Sequence, residues 1–506
     1  LGLVRGRVYY NLVSWYRVLT LLPGFHLNRT FMEQMMGVKT PMPEEVVRKI
    51  IHQTRTSPWR DRLALLGTTI GLIRSHWRLP KQIKHFYQRL NNALHLETSL
   101  SQLRGEELTI HYQELEKRLL QKWDAPLVND FFAMIFYGVL GKLCTKWLDD
   151  KNGTLQNELL QDSGDIISAR PPRLIKEMAE LVRPTPALAQ LLADQKITLS
   201  KKLNAIRDFP ALQEKLTTYF DEFGDRCLEE LKLESPTLVD APPLLSSIGG
   251  FALRVPAPVQ KITPPKITLT NPFKKFLFSW VLKQTRARVR DRENLRFERT
   301  RVFGRVRQIL RELGGRLSTD GQLDSPDDIF HLRLDEALAP FNHTANTQNL
   351  RGLVKARREE FANYRSQTAP PDRFSCRGPL HRQSTFTGEA QTSASSKGDF
   401  QGVGACAGIV RGPVRVVTNP REANLEPGEI LVATQTDPGW VVLFPAASGL
   451  LVERGSLLSH SAIVARELQL PCIVSLTNIT TTLKTGDFVE MNGKTGQVTL
   501  IDNPSK

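Results

Sequence analysis

Apolar residues in the first 235 positions recur three and four residues apart, with charged residues between them, and this spacing predicts helices. The segments 112–123 and 210–231 carry the pattern most clearly. A helix of this kind buries its apolar face against a partner. We therefore expect this part of the chain to be mostly α-helical.

Proline marks the segment that follows. Residues 236–272 contain 8 of the 31 prolines in the chain. Proline has no amide donor and restricts the residue before it. The segment therefore predicts a non-helical crossing or a subdomain boundary.

A long helix is predicted from about Phe276 to Leu317, ending at the pair Gly314-Gly315. Between Lys283 and Arg316 it has 12 basic and 4 acidic residues. Four arginines spaced by 4, 4 and 3 positions share one face of this helix: Arg288, Arg292, Arg296 and Arg299.

Two interpretations of this arginine stripe remain open. Guanidinium groups match phosphate oxygens, so the stripe fits a cleft for phosphate. The simpler interpretation, which the sequence favours, is a solvated face whose arginines pair with acids three residues away. The pairs would be Asp291 with Arg288 and Glu293 with Arg296.

The pattern changes to short β-type runs after a polar segment, 377–400, that is typical of a flexible linker. One clear helix, from about Ser459 to Leu468, interrupts the runs. We expect a small β/α domain over 401–506, with strands at 409–417, 429–433, 450–453, 472–476, 488–491 and 497–501.

Charge separates this tail from the rest of the chain. The 506 residues carry a net charge of +16, whereas residues 401–506 hold 8 basic and 9 acidic residues.

No uninterrupted apolar run reaches the roughly 18 residues of a membrane span, so we expect no membrane-spanning segment. Five scattered cysteines without a C-x-x-C pair predict a reducing, cytoplasmic compartment and no thiolate metal site. The first residue, Leu1, predicts that a natural upstream segment is missing.

The candidate chemistry lies at the start of the predicted helix in the tail. A strand leads through Gly455 into Ser459, a favoured N-cap residue, and His460 follows in the first turn. The amides and dipole there stabilise an anion, and imidazole is a competent nucleophile near neutral pH. This combination favours phosphoryl transfer through a phosphohistidine. A lone histidine at a helix start is also an ordinary capping or surface residue, and geometry alone favours that interpretation.

The sequence from Gly455 through Leu468 (GSLLSHSAIVAREL) resembles the phosphohistidine signature in the mobile, or swivelling, domain of the PEP-utilising enzymes. Phosphoenolpyruvate synthase, pyruvate phosphate dikinase and rifampicin phosphotransferase share this domain. Thr436-Asp437-Pro438 with Trp440 and Phe444 resembles its T-x-P-x-W…F turn. The resemblance covers essentially all of 401–506.

Looser resemblances to the same proteins occur upstream, in the same order along the chain. They are carried by residues 7–12 and 31–37, by Phe223-Gly224-Asp225-Arg226 with Glu230 and Pro236, and by Asp327 to Leu332. The order of a substrate domain followed by the histidine domain is similar to that of rifampicin phosphotransferase.

The resemblance implies roles for individual residues. His460 would carry the phosphoryl group, and Gly455, Ser456, Ser459, Ser461 and Thr436 would shape or support its phosphate pocket. Arg466 and Glu467 would hold the helix in place. The substrate-domain candidates are Arg226, Glu230, Arg292 and Arg296, and no metal ligand is expected. ATP with Mg²⁺ would be bound by an ATP-grasp domain, upstream or in trans, that these residues do not contain.

Leu458 departs from the dikinases, which have threonine two residues before the histidine, so regulation by phosphorylation of that position is not expected. Ser456 replaces the second glycine of the family's Gly-Gly pair.

The fold predicted is a multidomain α+β protein. A large, mostly helical acceptor domain (1–376, with a sub-boundary at 236–272) precedes the linker and a small β/β/α swivelling domain (401–506). The function predicted is a dikinase-type phosphotransferase that relays a phosphoryl group from ATP through His460 to pyruvate or an antibiotic-like hydroxyl. Two alternatives remain: a non-catalytic basic module that grips nucleic acid or another anionic partner, and a phosphohistidine relay without its own kinase domain. Neither a membrane partner nor nucleic acid is favoured.

Overall fold

The computed structural model describes residues 2–20, 29, 32–33, 41–54, 58–150, 154–160, 165–194, 196–227, 229, 232–237, 243–253, 267, 269–371, 373–376, 399–420, 423, 425–426 and 428–502. The chain forms two compact units, each assembled from separate stretches of sequence. Unit 1 comprises Leu1–Arg29, Met42–Lys122 and Arg305–Ala394; unit 2 comprises Thr30–Pro41, Trp123–Gly304 and Ser395–Lys506. The predicted helical domain, 1–376, is therefore divided between the two units.

Helices and one hairpin are the regular elements of unit 1 among the residues that the structure describes. Arg5 and Gly6, both with positive φ, form the two-residue turn of that hairpin, as expected for strands with a right-handed twist. Its elements are β1 (Gly2–Val4), β2 (Arg7–Tyr9), α1 (Leu12–Thr20), α2 (Glu44–Thr54), α3 (Pro58–Leu94), α4 (Gly105–Arg118), the C-terminal part of α12 (Pro272–Thr319), α13 (Leu334–Leu338) and α14 (Leu350–Ser366).

Unit 2 combines helices with a mixed sheet. Its helices are α5 (Asp124–Leu148), α6 (Thr154–Leu159), α7 (Arg170–Val182), α8 (Pro186–Ala193), α9 (Leu199–Ala205), α10 (Pro210–Phe223), α11 (Pro243–Ala252), the N-terminal part of α12, α15 (His460–Leu468) and α16 (Ile479–Thr482). Its strands are β3 (Asp399–Gln401), β4 (Val403–Cys406), β5 (Ile409–Val417), β6 (Ile430–Ala433), β7 (Gly449–Val452), β8 (Cys472–Val474), β9 (Phe488–Asn492) and β10 (Gln497–Leu500).

The eight strands are ordered β3-β10-β9-β5-β6-β7-β8-β4. The inner pairs β5–β6, β6–β7 and β7–β8 are parallel, and the other pairs are antiparallel. Helix α15 is the crossover from β7 to β8. Its first residue, His460, therefore follows the carboxyl end of a buried parallel strand, which is where α/β sheets place ligand sites.

The two faces of the sheet are packed in different ways. One face packs into a core that includes Val432, Leu451 and Ile473 of the strands and Ile479 of α16. The other face shares a core with α15 and with the helices α7, α8, α10 and α11. A third cluster places Leu458 and Ile463, which flank His460, among residues of α5 and α12. This packing brings the start of α15 against α12.

The mixed α+β class is confirmed, and every predicted strand is present within one or two residues at each end. The prediction of a single helix in the tail is incomplete. Helix α16 and two 3₁₀ turns, Pro438–Val442 and Phe444–Ala446, also interrupt the strands. The strands β3 and β4 were not predicted. β3 includes Asp399 and Phe400, the last two residues of the expected linker, and the rest of that linker lies outside the described residues.

The prediction of a non-helical segment at 236–272 is wrong for its middle. Helix α11 begins at Pro243, the first helical position, where the missing amide of proline costs no hydrogen bond. The nine residues that follow contain no proline, so the helix continues to Ala252.

One helical stretch bears on the expectation about membrane spans. The stretch Gly105–Leu148 is long and apolar enough, by length and composition alone, to cross a membrane. A core helix passes the same test, and Ala133, Leu140 and Cys144 of α5 are fully buried here. Apolar length therefore does not decide the question for this stretch.

Candidate functional site around His460

His460 is the first residue of α15, and Ser459 is the N-cap, with extended backbone angles (φ −70°, ψ 157°). The Ser459 side chain does not cap the helix, and its Oγ lies 3.5 Å from Oγ of Ser461. The first intrahelical bond runs from the amide of Ile463 to the carbonyl of Ser459. The preceding amides of the first turn have no acceptor within the helix.

The His460 ring is buried against α12. Its Nδ1 lies 3.0 Å from Oε2 of Glu293, and the side chains of the two residues are 8% and 3% exposed. The other ring nitrogen, Nε2, is buried and has no hydrogen-bond partner among the described residues. One nitrogen is therefore held in place and the other is unengaged.

Electrostatics fix the direction of this hydrogen bond. Burial by itself would raise the pKa of Glu293, but the hydrogen bond and charge of His460, with Arg296 and Arg292, lower it to about 2. An ionised carboxylate can only accept. Nδ1 therefore carries the proton, and in the neutral ring the lone pair is on Nε2.

Arg292 connects α12 to the segment before His460. Its Nη1 donates to the carbonyl of Leu458 at 2.7 Å and lies 3.4 Å from Oε1 of Glu293. Its Nε lies 3.4 Å from Oδ1 of Asp130, on α5. Burial lowers the pKa of the Arg292 guanidinium. We refer to Asp130, Arg292, Glu293 and His460 as the charge cluster.

The arginine stripe is only partly a solvated face. The predicted pairs are present, Arg288 with Asp291 at 2.9 Å and Arg296 with Glu293 at 3.8 Å. Arg288 and Arg292, however, are only 6% and 8% exposed. The solvated-face interpretation is wrong for these two residues, because α5 and the segment at Leu458 pack over α12 at this point. Because Arg288 and Arg292 are buried, they do not contribute to a surface that could bind nucleic acid.

The loop before His460 is closed by its own contacts. Arg466, which is 3% exposed, donates through Nη2 to the carbonyl of Leu457, and burial lowers the pKa of its guanidinium. The carbonyl of Gly455 accepts from Oγ of Ser475 at 2.6 Å. The carbonyl of Ser456 accepts from the amide of Ser459 at 2.9 Å. These bonds fix the path of the chain from β7 into α15.

The remaining predicted residues lie in different places. Arg226 donates from Nη1 to the carbonyl of Pro438 at 3.0 Å, and thus holds the 3₁₀ turn that packs against α15. Thr436 precedes that turn and has a buried Oγ1. Glu467 lies 4.0 Å from Arg173. Glu230 lies outside the described residues. The described part of the chain contains no group of three or more His, Cys, Asp or Glu residues arranged to hold a metal.

Two residues of the charge cluster were not singled out from the sequence. Glu293 was expected only as a partner of Arg296, and Asp130 was not among the candidate residues. The feature of the sequence that could have indicated Glu293 is its position directly beside Arg292, an arginine of the stripe. Sequence spacing could not show which distant histidine it would meet.

Comparison with known proteins identifies two domains in the chain. Residues 425–496 match the model of the PEP-utilising enzyme mobile domain, and residues 127–293 match the model of the rifampicin phosphotransferase fourth domain. The two matches together contain the whole charge cluster.

Full-length relatives extend these matches. An uncharacterised protein of Mycobacterium tuberculosis is 33% identical over 68% of this chain and 37% of its own length. The rifampicin phosphotransferases of Streptomyces sviceus and Bacillus subtilis are 25% and 24% identical, over 70% and 77% of this chain and 42% and 46% of their own length. The chain thus spans less than half the length of these relatives. It belongs to the PEP-utilising enzyme family, and the relatives that it matches include rifampicin phosphotransferases.

Proposed function

We propose that the chain is the phosphocarrier and acceptor part of a dikinase-type phosphotransferase in which Nε2 of His460 carries the phosphoryl group. The observation that supports this most directly is the pairing of His460 Nδ1 with the buried, ionised Glu293, which leaves the lone pair on Nε2.

The surrounding residues suit this step. When Nε2 attacks a phosphorus atom, the P–Nε2 bond forms, the P–O bond of the donor breaks, and the ring gains positive charge. Glu293 stabilises that charge through Nδ1–H, as the aspartate does for the histidine of a serine protease. The helix N-terminus and the guanidinium of Arg296 favour the negative phosphoryl group.

The donor in this proposal is the β-phosphate of ATP, bound with Mg²⁺ by an ATP-grasp domain in the same protein or in trans. In the second case the chain acts as a relay. ATP supplies the phosphoryl group, and the residues described above receive and position it. The cytoplasm is the compartment that suits this proposal, because ATP is available there and free cysteines such as the five of this chain stay reduced.

The names of the relatives support a proposal for the acceptor class. Rifampicin phosphotransferases and a prodigiosin synthesizing transferase of Serratia marcescens are among them. We propose a hydroxyl-bearing small organic molecule as the acceptor, and pyruvate is the alternative that phosphoenolpyruvate synthases suggest.

A direct experiment charges the purified chain with phosphoramidate, a small phosphoryl donor that does not require an ATP-grasp domain. We expect one acid-labile, base-stable phosphate per chain by ³¹P NMR, and none on His460→Ala. Equal labelling of this variant would overturn the proposal. A second experiment adds a purified ATP-grasp protein and ATP labelled at the β position, then tests rifampicin and pyruvate as acceptors of the label.

A further inference from the structure

The charge cluster contains a second carboxylate that the phosphocarrier step does not use. Asp130 lies in the first two turns of α5. Its neighbour Asn129 is fully buried and donates from Nδ2 to the carbonyl of Arg288 at 3.0 Å. Arg288 is one helical turn from Arg292, so this bond holds Asp130 beside the Arg292 guanidinium.

The two carboxylates of the cluster differ in access. The Glu293 side chain is 3% exposed, whereas the Asp130 side chain is 34% exposed. Glu293 has Oε2 against His460 and Oε1 near Arg292 and Arg296. Among the described residues, Asp130 has a 3.4 Å ion pair to Nε of Arg292 and no other polar partner, and that nitrogen makes no aligned hydrogen bond there. Asp130 can therefore accept a hydrogen bond from an incoming molecule.

The position of Asp130 relates it to the reacting histidine. Arg292 contacts Asp130 through Nε and the carbonyl of Leu458, two residues before His460, through Nη1. The guanidinium of Arg292 thus holds both the Asp130 carboxylate and the segment that leads into His460. An acceptor that enters from solvent meets a carboxylate that shares the Arg292 guanidinium with the segment leading into His460.

We propose that Asp130 is the general base of the acceptor half-reaction, an inference that rests on the proposed phosphocarrier role of His460. The acceptor oxygen forms a bond to phosphorus, and the P–Nε2 bond breaks with its electron pair returning to the imidazole. The hydroxyl proton passes to the Asp130 carboxylate. The acceptor class is an alcohol, whose oxygen needs such a base, and not a group that is already anionic.

The pKa values of the two carboxylates are consistent with different roles for Glu293 and Asp130. The partial burial of Asp130 raises its pKa, and Glu293 raises it further, against the opposing charges of Arg292, Arg296 and Arg299. The pKa of Glu293 is lowered to about 2. Neighbouring carboxylates whose environments separate their pKa values commonly take different roles. Glu293 is suited to hold a positive ring, and Asp130 to take up a proton.

The test separates the two half-reactions in the full chain. The protein is charged with phosphoramidate, freed of donor, and mixed with glycerol or with the more acidic alcohol trifluoroethanol, and ³¹P NMR follows the phosphate esters. We expect Asp130→Asn to acquire phosphate on His460 at the parent rate. Its transfer to glycerol should fall about 100-fold, within the usual range for loss of a general base, and less for trifluoroethanol.

The matched control is Asp291→Asn, which removes a carboxylate of α12 that is paired with Arg288 and Arg290 of the same helix. It should transfer at the parent rate. The assignment is overturned if Asp130→Asn transfers as fast as this control, if it loses charging and transfer equally, or if the charged parent phosphorylates neither alcohol. A parent chain that gains no phosphate on His460 instead overturns the phosphocarrier proposal itself.

Discussion

Nδ1 of His460, the first residue of α15, lies 3.0 Å from Oε2 of Glu293, a residue 167 positions earlier in the chain. The pair joins the tail of the chain to the long helix α12 inside unit 2. It also decides which nitrogen of the imidazole is available for chemistry, and two of the predictions below follow from it.

Replacing Glu293 by glutamine should slow the charging of His460. The amide NH₂ can donate to Nδ1, which favours the tautomer with the proton on Nε2 and removes the nucleophilic lone pair from that nitrogen. Loss of the carboxylate partner costs about 10⁴-fold in a serine protease, and we expect about 100-fold or more here. Phosphoramidate labelling gives the rate, and ¹⁵N NMR of the ring gives the tautomer. Glu298→Gln, which alters a buried carboxylate paired with Arg301, is the control, and an equal loss in both variants would contradict this account.

The same pair should make stability depend on pH in the acid range. The pKa of Glu293 is about 2 in the folded chain and near 4.3 in an unfolded one, so ionisation of Glu293 stabilises the fold above about pH 5. That contribution, on the order of a few kcal/mol, is lost as the pH falls from about 5 to 2. Urea unfolding across this range should show a shallower loss for Glu293→Gln than for the parent. Burial raises the pKa of Glu298, so Glu298→Gln should keep the parent's loss.

Replacing Arg292 by methionine should destabilise the chain by about 3 kcal/mol. The change leaves the carbonyl of Leu458 without its donor and the buried Glu293 with one positive neighbour fewer, and breaking a buried ion pair costs about 3–5 kcal/mol. Arg290→Met is the matched variant, since Arg290 is 39% exposed and pairs with Asp291. It should cost less than about 1 kcal/mol. Similar losses in denaturant unfolding for both would show that the buried contacts of Arg292 contribute little.

Replacing Arg226 by lysine should loosen the 3₁₀ turn at Pro438. Arg226 is 1% exposed, with its guanidinium 4.9 Å from the ring centre of Phe297 and 5.7 Å from that of Phe223. Lysine keeps the charge but not the planar group that stacks and donates to Pro438. Amide hydrogen exchange in residues 436–443 should rise, with a loss of about 2 kcal/mol in unfolding free energy. Arg173→Lys, at a side chain that is 52% exposed, should leave both unchanged.

Much of the fold could be predicted locally. Strand β5 was predicted with its observed bounds, and α12 and α15 within a few residues, because alternation, helical spacing and glycine stops are properties of neighbouring residues. The helix α11 was missed, because a high proline count hid the short proline-free stretch after Pro243. The strands β3 and β4 are three and four residues long and have too little pattern of their own.

The candidate site also has features that the sequence predicts and features that it does not. The sequence by itself determined His460 at a helix start after a buried strand, and the i,i+3 pairs of the arginine stripe, since both are fixed by spacing along one element. Only the tertiary structure decided that Arg288 and Arg292 are buried, that Glu293 meets His460, and that Asp130 stays open beside them. These relationships depend on the packing of α5, α12 and α15, which are far apart in sequence. No local pattern encodes the distance between two residues that meet only when the core forms.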